Sequence, residues 1–64
     1  MILHADGDSL QIFDDDGMII TSIDMTGYGG IDNYGVSGSG FWVRTREGVT
    51  MIFDDQCRLK NSIS

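Results

Sequence analysis

Three consecutive aspartates and a glycine, Asp14-Asp15-Asp16-Gly17, follow Asp6-Gly7-Asp8 and make the densest set of side-chain oxygens in the sequence. Oxygen-rich turns bind calcium, and an Asp-x-Asp-Gly fragment is part of calcium loops. The remainder of such a loop is missing. Met25 stands where the last carboxylate ligand is needed, and no helix flanks the segment. These aspartates therefore read as hairpin-turn residues that also present negative charge to a partner.

A nucleophilic site has only Cys57 and His4 to draw on, at opposite ends of the chain and with no oxyanion-type glycine motif beside the cysteine. Arg58 next to Cys57 is expected to draw its pKa down somewhat. One Cys and one His cannot supply a four-ligand zinc shell, and a single cysteine cannot make an internal disulfide. The glycines of residues 26–40 match neither a phosphate loop nor a dinucleotide fingerprint, since no lysine or helix follows them. No catalytic residue, metal or cofactor is assigned.

Trp42, Arg44 and Arg46 alternate onto one strand face and form the only aromatic and basic stripe. Such stripes hold single-stranded nucleic acid in some small β domains. A net charge of −6 weakens any polyanion complex, so a protein partner fits the stripe better, with the arginines pairing to aspartates of a neighbouring strand. Tyr28 and Tyr34 add two amphipathic rings that either cover a small core or contact a partner. The expected partner-binding residues are Asp14, Asp15, Asp16, Tyr28, Tyr34, Trp42 and Arg44.

The elements that position these groups are strands. Residues 12–23 recur forty positions later as residues 52–63, with Ile, Phe, Asp, Asp, Ser and Ile in register. Each copy reads as a strand, an aspartate-led turn and a second strand. Residues 9–14 carry apolar groups on both faces, and residues 15–17 suit a three-residue loop with a left-handed glycine. Residues 18–25 are β-branched and apolar on both faces, which places them inside. Residues 41–46 and 49–53 alternate strictly, and the last strand carries Arg58 and Lys60 as an edge strand does.

The expected fold is all-β: a small antiparallel meander of about five strands from two similar hairpins, either a half-barrel or a sandwich completed by a dimer. The expected domain is a single unit over 1–64 with a Gly-rich central loop at about 26–40, which is either mobile or hides a short strand at 31–36. A strand ending Phe-Asp, a turn and an Ile-rich strand at this period resemble the blades of propeller-type repeats over residues 12–23 and 41–63. The resemblance implies topology and no function.

The totals narrow the classes further. Sixty-four residues bury a small core, so an outside staple is expected, and a homodimer is the one left open. Residues 1–43 hold seven aspartates and no Lys or Arg, whereas residues 44–64 hold four basic and three acidic residues. The opening residues lack the charged and apolar regions of a signal peptide, and no apolar run spans a membrane; a cytoplasmic location is expected. The expected function is protein binding by occlusion of a basic partner surface. Small acidic inhibitors carried by phages and other mobile elements, including those of nucleases and CRISPR complexes, are similar in size and charge. The alternative is a structural subunit that self-assembles through sheet packing. An enzyme is not expected.

Overall fold

Apolar and polar side chains alternate between glycine-marked turns, and the computed structural model, which describes residues 1–64, folds these segments into strands. β1 (Ile2–Asp6), β2 (Ser9–Phe13) and β3 (Ile19–Asp24) form one antiparallel sheet in that order. β4 (Ile31–Ser37), β5 (Gly40–Thr45), β6 (Thr50–Phe53) and β7 (Leu59–Ile63) form the second. The protein is all-β with seven strands and no α-helix; one turn of 3₁₀ helix over Thr26–Tyr28 joins the sheets.

Seven strands replace the expected five or so: the opening residues form β1, and of the two expectations for residues 26–40 the hidden strand holds and the open loop does not. β4 runs through them, paired along its length with β5. Glycine is a weak strand former because it has no side chain to pack, but at Gly35 that lack is what the sheet needs. Its cross-strand neighbour is Trp42, and a Cβ added to Gly35 would stand 2.9 Å from the indole Nε1.

The sequence repeat is a structural one. Ile12 pairs with Thr21 and Phe13 with Ile19; forty residues on, Ile52 pairs with Asn61 and Phe53 with Leu59. The same bulge interrupts both ladders, leaving Ile20 and Lys60 as the extra residues. The two turns are also built alike. Asp14 N–H donates to the Met18 carbonyl at 2.9 Å, and Gly17 N–H donates to the Asp14 carbonyl at 3.1 Å. Asp14 Oδ1 accepts from the N–H groups of Asp16 and Met18, each at 2.9 Å. Asp54 repeats every one of these bonds with Arg58, Cys57 and Gln56. The left-handed position is Gly17 at φ +84° in one turn and Cys57 at φ +63° in the other. Asp is suited to the lead position because its carboxylate satisfies backbone donors that a tight turn leaves unpaired.

Leu10 and Ile12 from β2 meet Phe41, Val43, Met51 and Phe53 from β5 and β6 in one core, with Met25 closing it. Phe41 and Phe53 stack with ring centroids 4.8 Å apart. At roughly 25 cal/mol per Å² of apolar surface, these side chains supply most of the drive to fold. β3 departs from expectation. It was expected inside, yet Met18, Ile19 and Ile20 are more than half exposed and β3 is the edge of its sheet. β-branched composition selects the extended backbone; it does not say which strand a neighbouring sheet covers.

The two sheets contribute opposite faces of the repeat to this core. The first buries Leu10 and Ile12, whose counterparts Thr50 and Ile52 face outward on the second. The second buries Met51 and Phe53, whose counterparts Gln11 and Phe13 face outward on the first. Both copies also lie the same way round. Gly30 packs between the β1–β2 turn and the β5–β6 turn, so that an added Cβ would approach Asp8 Oδ1 to 2.7 Å and Arg46 Nε to 3.7 Å.

Candidate interaction site

Trp42 projects from the outer face of β5 because Phe41 and Val43, its neighbours in the period-two pattern, are committed to the core. Its ring lies over Gly35, which has no side chain to hold it off. Ile52 is the cross-strand neighbour of Trp42 on β6, and Arg44 and Thr50 are paired one step further along the same face. With Ser37 these residues line a cleft of about 280 Å³, open to solvent. An indole, an isoleucine and a guanidinium side by side make a surface that takes an apolar group next to a carboxylate.

Arg44 is exposed, and its partners across the ladder are Asn33 and Thr50, so the expected pairing of the arginines with neighbouring aspartates does not form. The single ion pair of the molecule joins the N-terminal ammonium to Asp15. That ammonium holds the Asp15 carboxyl below the usual carboxylate range. Arg46 lies beyond β5, where its Nε is 3.5 Å from the Ile31 carbonyl oxygen.

The other expected contact residues fall in three separate places. Asp14, Asp15 and Asp16 form the β2–β3 turn, where Asp14 is engaged with the backbone while Asp15 and Asp16 extend into solvent. Tyr28 is exposed on the 3₁₀ turn between the sheets. Tyr34 sits opposite Val43 and packs against the core, on the other side of the sheet from Trp42. It therefore covers the core and does not join the cleft.

The acidic turns do not gather into a group of His, Cys, Asp or Glu that could hold a metal ion. Asp24 Oδ1 accepts from the Thr26 hydroxyl at 2.6 Å and the Thr26 N–H at 2.9 Å, and these bonds hold its carboxyl below the usual range. Asp54 is lowered chiefly by the Arg58 N–H, although desolvation opposes this. Cys57 reverses expectation. Partial burial, then the Asp54 charge, push its thiol up, and Arg58 does not offset them.

Sequence reasoning missed Ile52, Thr50 and Ser37 in the cleft, and Ile2, Phe13 and Ile19 on the outer face of the first sheet. The alternation that sends Met51 and Phe53 inward already sends Thr50 and Ile52 outward, so part of this was readable. No helix is long and apolar enough to cross a membrane. No protein-family model, no curated protein and no solved structure matches the chain.

Proposed function

We propose that this chain is a protein-binding module that acts by occlusion, setting its acidic three-stranded sheet against a basic surface of a protein partner. The observation that carries this reading is the excess negative charge of residues 1–25, offset only by the N-terminal ammonium paired with Asp15. Asp6, Asp8, Asp14, Asp15, Asp16 and Asp24 occur there with no Lys or Arg, and all but Asp14 are exposed. Such a field attracts basic surfaces and repels phosphate backbones, so direct nucleic-acid binding does not belong to the reading. A phage-type or mobile-element inhibitor, such as one directed at a CRISPR complex, is the kind of protein this chemistry suits. It acts without catalysis and in the cytoplasm.

The test is capture by the immobilised chain from its native host at low and high salt, with a D14N/D15N/D16N variant beside it. Asn preserves the turn's acceptors and removes the charge. A basic protein held by the native chain, lost as salt rises and lost to the variant, supports the reading. Equal capture by both chains at low salt contradicts it.

A second reading, that of a structural subunit that assembles through its sheets, is favoured by the half-exposed Ile2 and Ile19 on one outer face and the partly exposed Trp42 and Ile52 on the other. A half-barrel, or a sandwich completed in a homodimer, is the architecture that goes with it.

A further inference from the structure

The contact between the two sheets is not symmetric, and this bears on what covers the faces left outside. Leu10 and Ile12 present one face of the repeated unit; Met51 and Phe53 present the opposite face of the next copy of that unit. Packing of one face against its opposite has no twofold axis. A contact of this kind leaves, at either end of the stack, the same two faces that it has just joined. The outer face of the second sheet, with Trp42 and Ile52, is the counterpart of the inner face that carries Leu3 and the buried Ile12. The outer face of the first sheet, with Ile2, Phe13 and Ile19, is the counterpart of the face that buries Phe41 and Phe53.

We infer that copies of this chain stack head to tail, the Trp42 face of one copy covering the Ile2 face of the next. This rests on the self-assembly reading above, and it competes with the basic partner for the outer face of the first sheet, where Asp6 and Asp24 lie. Residue chemistry on the two faces agrees with it. On both, the apolar row lies toward the Asp14 and Asp54 turns: Trp42 and Ile52 on one, Ile2 and Phe13 on the other. Arg44, in one row with Thr50 and the exposed Ile63, lies further from those turns on its face, as Asp6 and Asp24 do on theirs. With the copies the same way round, as the internal repeats are, apolar meets apolar and the unpaired guanidinium meets carboxylates. Ile2 and Ile19, 49% and 57% exposed, are covered by that contact. A head-to-tail contact propagates into a closed ring or an open filament, and it never ends at a twofold pair.

Two variants separate the possibilities. Ile52→Asp blocks the Trp42 face and Ile19→Asp blocks the other; each side chain points away from the core, and circular dichroism verifies that both fold. Should Ile52→Asp unfold, Arg44→Asp replaces it, on an exposed side chain. The native chain is expected to sediment as species larger than a monomer. Each variant alone is expected to be monomeric, and an equimolar mixture to give a one-to-one heterodimer and nothing larger, because one intact face remains on each. A native chain that stays monomeric at high micromolar concentration overturns both the self-assembly reading and this inference. A native chain that assembles, with variants whose mixture stays monomeric or with one variant still assembling alone, keeps self-assembly and overturns the head-to-tail arrangement.

Discussion

Ile12 and Ile52 hold the same place in the repeated unit, and only Ile12 is fully covered. The opposite sheet that seals Ile12 has no equivalent over Ile52, which shares an open cleft with Trp42. Burial at Ile12 is thus a property of the sheet packed on it and not of the unit itself. Ile12→Ala is expected to cost about 3 kcal/mol through lost transfer energy and the cavity left behind. Ile52→Ala is expected to cost under about 1 kcal/mol in dilute solution, where only its strand neighbours partly cover it. Urea titrations of the two variants read the contrast.

The paired turns give a second expectation. Cys57 occupies the left-handed position that Gly17 fills in the first copy, and a side chain there costs about 1–2 kcal/mol. Cys57→Gly is expected to raise stability by about 0.5–1 kcal/mol after the wider freedom of the unfolded chain is counted. Gly17→Ala is expected to lower it by about 1 kcal/mol, with thermal melting as the measurement. The thiol, held above its ordinary pKa by burial and Asp54, is expected to alkylate more slowly than free cysteine at neutral pH and to quicken in alkali.

Gly35 and Gly40 separate two kinds of close approach. At Gly40 an added Cβ would lie 2.1 Å from the Phe53 carbonyl oxygen, and backbone cannot step aside. Gly40→Ala is expected to destabilise the chain by about 3 kcal/mol. At Gly35 the obstacle is the Trp42 ring, a side chain beside an open cleft and not backbone. Gly35→Ala is expected to change stability by less than about 1 kcal/mol while shifting the emission of the single tryptophan to the red. Unchanged emission would mean that the ring does not rest on Gly35.

Acid should weaken the fold through Asp24 and Asp54. Thr26 lowers the first through its hydroxyl and the Arg58 N–H lowers the second, so both are depressed in the folded state. A depressed carboxyl adds stability above the unfolded pKa near 3.9 and loses it as pH falls through the folded value. Melting temperature is therefore expected to be flat near neutrality and to drop below about pH 4. In the D24N/D54N variant the amide oxygens still accept those bonds, and the drop should be shallower. An identical acid limb in both chains would remove these two residues from the account.

How much of this was legible depends on what each residue type specifies. Asp14 and Asp54 announced their turns because a carboxylate ahead of a left-handed residue has a local backbone role. The alternation of Phe41, Val43 and Thr45 announced a buried face that the structure keeps. Gly35 read as a loop residue, since its reason for being glycine lies on another strand, at Trp42. Residues 18–25 read as interior because Ile and Thr report strand preference and not neighbours. The facing of the two sheets was the least legible feature. Both hairpins carry apolar groups on both sides, and the link between the sheets runs through Met25 and Gly30, which bond to Asp8 and Arg46 across them.

Stacking of copies through the sheet faces that the fold leaves open is tested most directly by sedimentation velocity of the unmodified chain, from low to high micromolar concentration. The account predicts species heavier than the 7.0 kDa monomer that grow with concentration and continue beyond a dimer. A single 7.0 kDa species across the whole range would contradict it.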